Sequence, residues 1–419
     1  MEDQKIQQKA ILVGIAKNSS CLAACEESLS ELERLLETAG GEAFAKVIQL
    51  KDSFDPRTCI GSGKVKEISE ICKSNSIELL VFDFELSPVQ IRNLEDDTGV
   101  TVIDRTMLIL DIFALHAVSG EGKMQVELAQ LKYTIPRLTG KGFDLSRQEG
   151  RIGTRGPGES KLETDRRHIH RRISSIEAQI AEMEKNRMVM RAARDKSNLQ
   201  KIAIVGYTNA GKSTLLNCLT NAGVLSEDKL FATLDPTTRR LTLPGGETVL
   251  LTDTVGLIRN LPHHLIKAFK STLDEASYAD ILMIVIDYSD PSYEEHLSVT
   301  CELLAELNAS GKPTIFVYNK CDATGGAIFP EKENSVYISA KNEIGIDALL
   351  NMIEKVCSEG KKTVFIDLPY DKSSFLNNVY KDATVLSVEY KDSSISVSAV
   401  FKGPVPHIYK NFISLEKSK

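Results

Sequence analysis

The chain has 419 residues, 42% hydrophobic and 26% charged, the makeup of a globular protein of about three domains. Its net charge of -7, from 51 Lys and Arg against 58 Asp and Glu, argues against a whole-surface coat for nucleic acid while leaving room for a local basic patch. No apolar run reaches the roughly 18 residues of a membrane span, the acidic start MEDQKIQQK is unlike a secretory signal, and the eight cysteines include no C-x-x-C pair, so a cytoplasmic protein without membrane, zinc or disulfide is expected.

Residues 1–105 read as an α/β domain. Strands are expected at Ile11–Ile15, Phe44–Leu50 and Glu78–Phe84, and helices in the segment that follows the first strand, to about Thr38, from about Lys64 to Lys73, and after Ser87-Pro88. Such alternation implies a parallel sheet covered by helices. The glycine-bearing segment Asp55–Lys64 has two readings, an anion site ahead of a helix or a turn capped for local reasons. Asp104, Asp111 and His116 have the spacing of a charged helix flank rather than of a metal site.

Residues 106–199 carry two apolar stripes at heptad-like spacing. One is Met124, Leu128, Leu131 and Ile135, and the other Leu162, Ile169, Ile173, Ile176, Ile180 and Met183. Together they predict an antiparallel helical hairpin packed like a coiled coil. Between Arg137 and Arg172 lie ten basic residues against five acidic ones, and six glycines crowd the first half, which therefore does not form a stable helix. Arg147, Arg151, Arg155 and Lys161 in this tip are candidate RNA contacts, since arginine pairs with phosphate and stacks on bases; the alternative is a solvated connector.

Residues 200–361 hold a phosphate loop. The apolar run Ile202–Val205 leads into Gly206-Tyr207-Thr208-Asn209-Ala210-Gly211-Lys212-Ser213-Thr214, the pattern G-x-x-x-x-G-K-S ahead of a helix. Backbone amides there cradle a phosphate chain, Lys212 reaches the β and γ phosphates, and Ser213 is expected to hold Mg²⁺. Downstream, Thr233, Thr237 and Thr238 compete for the role of a Mg²⁺-binding switch threonine. A strand at Thr248–Leu251 ends in Asp253-Thr254-Val255-Gly256, where Asp253 would hold Mg²⁺ through water and the Gly256 amide would sense the γ-phosphate. Further strands at Ile281–Ile286, Thr314–Tyr318 and Val336–Ile338 lead to Asn319-Lys320-Cys321-Asp322 and Ser339-Ala340-Lys341. Asp322 can accept from guanine N1 and its 2-amino group, and the amide near Ala340 can donate to O6, so GTP is the expected substrate. Leu257 follows Gly256 where Ras-like switches carry a water-orienting glutamine. Asn209 resembles the asparagine that in some translation-factor-like GTPases ligates K⁺ beside the β and γ phosphates, which would make it catalytic with Lys212 and Gly256; the alternative is a turn residue.

Residues 362–419 read as a small β-α-β-β unit, with strands Val364–Leu368, Thr384–Tyr390 and Ser394–Phe401 and a helix Ser373–Val379. It is either a contact to a ribosomal protein or a cap on the preceding domain.

The segment Gly156-Pro-Gly-Glu-Ser-Lys-Leu-Glu-Thr-Asp-Arg-Arg167, with GYTNAGKS, FATLDPTTR, DTVGLI and NKCD after it, closely resembles the HflX family of GTPases over roughly residues 10–365. The resemblance implies an N-terminal α/β domain, a two-helix linker and a Ras-like P-loop GTPase domain, with Thr233 as the switch threonine and Leu257 as an apolar replacement for glutamine. It also implies a protein that binds the large ribosomal subunit and its rRNA, dissociates stalled or stress-arrested ribosomes, and brings the tip loop toward the peptidyl-transferase region; a monomer is expected. Two rival expectations stand beside this: a GTP-switched regulator of ribosome assembly or hibernation, and an ATP-driven RNA-remodelling protein.

Overall fold

The computed structural model describes residues 8–138, 157–195, 199–220, 230–231, 234, 236–259, 262, 275–324, 333–359, 362–391, 393–401 and 406–414, with the backbone alone at 138, 157–163, 165, 188–195, 362–363, 381, 384, 386 and 400. The N-terminal sheet contains β1 (Lys9–Ala16), β2 (Glu42–Leu50), β3 (Leu79–Phe82) and β4 (Thr101–Asp104), all parallel in the order β2-β1-β3-β4. Its helices are α1 (Leu22–Thr38), α2 (Ser62–Asn75), α3 (Pro88–Thr98) and α4 (Arg105–His116). Both faces of the sheet are covered, which is why β1 is an unbroken apolar run. Ala10 and Leu12 face the core built on α1 and α4, whereas Ile11 and Val13 face the core built on α2 and α3.

Local signals set these elements. The Ser87 hydroxyl accepts from the Gln90 amide while the Gln90 side chain accepts from the Ser87 amide, a capping box that starts α3, and Gly99 at φ 76° ends it. The Asp55–Lys64 segment is tied by local bonds: Asp55 and Cys59 exchange backbone hydrogen bonds, Gln49 Oε1 takes the Gly61 amide at 2.8 Å, and Arg57 forms a two-pronged pair with Asp97. Among its described contacts it is a capped turn.

Asp104 corrects the charged-flank expectation. It is 1% exposed, caps α4 by accepting from the Met107 amide at 3.0 Å, and also accepts from the Leu86 amide, the Tyr133 hydroxyl and Arg137. The strand β4 that delivers it has only four residues, too few to show a period.

The hairpin consists of α5 (Gly120–Leu138) and α6 (Pro157–Asp195). The Arg187–Glu121 and Lys132–Glu177 pairs run in opposite directions along the two helices, so they are antiparallel, and the long Arg172 side chain reaches across to Glu127. The structure adds a second stripe on α5, Val126, Ala129 and Tyr133, which joins the core of α1 and α4. The hairpin is thus anchored to the N-terminal domain. Arg137 and Arg172, counted above with the basic tip, are engaged within the chain: Arg137 lies over the Tyr133 ring at 3.4 Å and donates to the Leu86 carbonyl, and the exposed Arg172 grips Glu127. Arg147, Arg151 and Arg155, and the side chain of Lys161, lie outside the described residues.

The next sheet has six strands in the order β10-β9-β8-β5-β7-β6: β5 (Gln200–Gly206), β6 (Thr237–Thr242), β7 (Thr248–Asp253), β8 (Ile281–Asp287), β9 (Thr314–Asn319) and β10 (Ser335–Tyr337). All pairings are parallel except β6 with β7. Sequence periodicity had missed β6, an edge strand of mostly polar residues. Helices α7 (Lys212–Thr220), α8 (Tyr293–Glu306) and α9 (Ile346–Ser358) pack on its faces. Strand order reverses about β5, and a crevice at such a reversal is where open α/β sheets bind ligands. The C-terminal unit is an antiparallel sheet, β12 (Thr384–Tyr390), β13 (Ser394–Phe401), β11 (Lys362–Pro369) and β14 (Ile413–Ser414), with α10 (Ser374–Asp382) closing its core. Among the described residues no helix is long and apolar enough to cross a membrane.

Candidate nucleotide-binding site and its junction with the N-terminal domain

The phosphate loop is held from below by the segment that follows β7. Thr208 N donates to the Leu257 carbonyl at 2.8 Å and Leu257 N to the Gly206 carbonyl at 3.1 Å, so Asp253–Leu257 lies directly under the loop. Leu257 is 3% exposed, and its position serves packing and this bridge. Gly256 lies so close that a Cβ there would stand 2.9 Å from Thr208 Cα and 3.1 Å from Lys212 Nζ, which places its backbone beside that lysine. Asn209 has φ 58°, a left-handed conformation that asparagine tolerates better than most residues. A turn residue suits that geometry, and the K⁺ role is an added proposal.

The residues present suit Mg²⁺. Ser213 Oγ donates to Asp253 Oδ2 at 2.7 Å, so the two candidate oxygen donors already meet, a hard donor pair of the kind Mg²⁺ takes together with phosphate oxygens. Thr238 Oγ1 lies 3.0 Å from Thr252 Oγ1 within the β6–β7 ladder; Thr233 lies outside the described residues.

Lys212 Nζ donates to the Tyr207 carbonyl at 2.7 Å in a fully buried setting. Burial lowers its pKa to about 8, with Asp253 opposing the shift. A bound polyphosphate favours the charged form, so binding raises that pKa and takes up a proton wherever the free chain has lost it. Nucleotide affinity should therefore be flat below pH 7.5 and fall by up to about tenfold per pH unit above pH 8. Calorimetric titration with GDP at pH 8.5 in two buffers of different ionisation enthalpy checks this; equal heats would contradict it.

At the base end, Asn319 joins the two loops: its Nδ2 donates to the Ala210 carbonyl at 2.9 Å and its Oδ1 accepts from the Ala340 amide at 3.0 Å. Lys320 Nζ pairs with Asp287 at 2.7 Å. Asp322 is exposed and is steadied by Asn342 Nδ2 at 3.0 Å, while Ser339 Oγ takes the Asn342 amide at 3.2 Å.

The N-terminal domain packs against this machinery. One continuous apolar core contains Leu29, Leu32 and Phe113 from it and Tyr207, Phe231, Val255 and Ile258 from around the phosphate loop. The Phe113 and Phe231 rings meet edge to face at 4.7 Å. Polar bonds frame that core. Tyr207 donates its hydroxyl to Glu31, accepts from the Arg259 amide at 2.8 Å, and stacks on His296 at 3.9 Å. Burial and then Glu31 push the Tyr207 phenol well above its ordinary range, so it is a donor at all ordinary pH. Arg259 donates to Glu27 at 2.6 Å and reaches His296 Nε2 at 3.2 Å; because arginine has no acceptor, His296 is neutral there, consistent with burial lowering its pKa. Arg105, 2% exposed, joins Asp83 and Glu31 and touches the Arg259 carbonyl at 3.4 Å.

A family model described as a 50S ribosome-binding GTPase matches residues 201–320, and models described as GTP-binding GTPase N-terminal and Middle Region match 26–114 and 116–194. GTPase HflX of Caldanaerobacter subterraneus subsp. tengcongensis is 48% identical over 408 residues, covering 97% of this chain and 94% of that protein. The chain belongs to the HflX family of GTPases. GTPase HflX of Escherichia coli K12 is 41% identical over 386 residues, covering 90% of each chain. A solved GTP-binding protein from Sulfolobus solfataricus, in complex with GDP, is 26% identical with a TM-score of 0.46, over 84% of this chain and 99% of that one. As an HflX-family GTPase the chain hydrolyses GTP.

What motif reading missed in this HflX chain is the junction. Glu27, Glu31, Arg105, Arg259 and His296 belong to no nucleotide motif, and acidic residues on an exposed helix face read as solvated. The available signal was their spacing on α1, opposite its leucine stripe, together with an arginine three residues past Gly256. Asn342, behind Asp322, carried no signal at all.

Proposed function

We propose that this GTPase binds the large ribosomal subunit in its GTP form, separates stalled or stress-arrested ribosomes, and leaves on hydrolysis. The observation that carries the reading is the shared core: Phe231, Val255 and Ile258 flank the segments expected to rearrange when the γ-phosphate is lost, and they pack on α1 and α4. Through Val126, Ala129 and Tyr133 that same core grips the hairpin whose tip holds Arg147, Arg151, Arg155 and Lys161. A change at the phosphates thereby has a mechanical route to a basic, glycine-rich tip suited to rRNA. Mg²⁺ would be held by Ser213, Asp253 and the proposed Thr233 beside the γ-phosphate that the Gly256 amide would sense, and Asn209 would hold K⁺ beside the β and γ phosphates unless another cation takes that place.

Cosedimentation with separated subunits, using a GTP analogue and GDP, tests the binding half, and light scattering of joined ribosomes tests the splitting half. Binding to the large subunit should be at least tenfold tighter with the analogue, a coupling of the usual size for a two-state switch. Replacing Arg147, Arg151 and Arg155 with alanine should weaken it by a similar factor and spare nucleotide affinity. Equal binding with both nucleotides would overturn the reading. Strong binding without loss of joined ribosomes would leave a regulator of assembly or hibernation in its place.

A further inference from the structure

The polar face that α1 turns toward the GTPase domain is almost fully engaged. Glu27, Glu31, Arg34 and Thr38 follow one another by four, three and four residues, which stacks them on one side of the helix. Glu27 takes Arg259, Glu31 takes Tyr207 and Arg105, and Thr38 Oγ1 accepts from the Leu230 amide at 3.3 Å. Arg34 is the one cation of the four. It is exposed, and its guanidinium makes no hydrogen bond or ion pair among the described residues.

Arg34 lines a cleft of about 680 Å³ together with Asn209 of the phosphate loop and Lys320 of the base-reading segment. It also lines an adjoining cleft of about 250 Å³ with Thr208 and Asn209. The Thr208 hydroxyl there is buried and has no partner among the described residues. The aspartates of the cleft wall are occupied: Asp287 holds Lys320 at 2.7 Å, and Asp290 holds the Ser292 amide at 2.9 Å. Glu37, one turn along α1, is the remaining acid. An exposed pair at that spacing is weak, contributing less than a guanidinium gains from a polyphosphate.

We propose that Arg34 is a phosphate-binding residue supplied in cis by the N-terminal domain, its guanidinium pairing with the polyphosphate of bound GTP beside Asn209. In hydrolysis the water oxygen bonds to the γ-phosphorus as the bond to the β–γ bridging oxygen breaks; that bond's electron pair stays on GDP, and the two water protons leave on inorganic phosphate as dihydrogen phosphate, which then equilibrates with solvent. Arg34 stays protonated and stabilises the charge that gathers on the departing diphosphate. The orientation of α1 fixes this residue, so the same three bonds that dock the N-terminal domain set the charge in the active site. The assignment concerns the GTPase reaction and stands apart from the ribosomal reading.

The test uses the full chain with Arg34→Ala and Arg34→Lys, binding fluorescent GDP, a non-hydrolysable GTP analogue, and GDP with aluminium fluoride. Arg34→Ala should lose about tenfold or more in affinity for the aluminium fluoride complex, with a smaller loss for the GTP analogue and the least for GDP, and single-turnover hydrolysis should slow by about tenfold or more. Arg34→Lys should recover part of the binding. The melting temperature of the nucleotide-free chain should not move. Unchanged affinity for all three species would overturn the proposal. So would an equal loss for all three accompanied by a lower melting temperature, which would make Arg34 a structural residue.

Discussion

Asp322→Asn should exchange the base preference of the site, lowering affinity for GDP by about three powers of ten and making xanthosine diphosphate the better ligand. The expected size follows from how the carboxylate is prepared. Asn342 braces one oxygen at 3.0 Å, Ser339 braces Asn342, and Asn319 ties the surrounding loops to the phosphate loop through Ala210 and Ala340. A carboxylate so positioned accepts two hydrogen bonds from guanine at little cost in ordering. An amide in its place presents a donor where guanine also donates, so one pair is lost and another becomes repulsive. Xanthine carries a carbonyl at that position and restores the match. Competition binding of the two diphosphates reads the exchange, and a retained guanine preference would retire the assignment of Asp322. Asn342→Ala should weaken guanine binding only about fivefold, with no gain for xanthine, because it loosens the carboxylate without changing its chemistry.

The phosphate loop and the base-reading segments were legible because their chemistry needs particular residues at fixed spacing. Glycine is required where the chain approaches phosphate, lysine where it reaches it, and aspartate where guanine donates. The parallel N-terminal sheet was legible for a different reason: strands buried on both faces leave unbroken apolar runs such as Ile11–Val13 and Leu79–Phe82. β4 and β6 were missed, one for its length and the other because a polar edge strand has no apolar face to announce it. The junction was illegible because it joins residues far apart in sequence, Glu31 to Tyr207 and Glu27 to Arg259. Each of these is ordinary on its own helix or loop. The second stripe on α5 shows the same limit, since Tyr133 looks like surface until Asp104 and Arg137 close over it.

Two glycines with positive φ separate backbone conformation from crowding, and the larger stability effect follows from the crowded one. Gly246 has φ +85° and open space within 4 Å of an added Cβ, so Gly246→Ala should cost about 1 kcal/mol, the strain of an L residue in that conformation. Gly206 has φ +152°, and its Cβ would fall 2.2 Å from the Val285 carbonyl oxygen, 3.2 Å from the carbonyl carbon and 3.3 Å from the Val285 nitrogen. That carbonyl belongs to β8, which pairs with β5 on one side and β9 on the other, so it has no room to retreat without breaking two ladders. Gly206→Ala should therefore cost about 4 kcal/mol and lower the melting temperature of the GTPase domain by about 10 °C. GDP at a hundred times its wild-type Kd stabilises the wild-type chain by only about 2.7 kcal/mol, and a displaced phosphate loop binds it less well, so the nucleotide should not rescue the variant. Denaturant unfolding followed by far-ultraviolet circular dichroism, with and without GDP, provides the comparison. Equal midpoints for the two alanine variants would mean that the contact with Val285 does not constrain the loop, and with it would go the claim that β8 fixes where the phosphates sit.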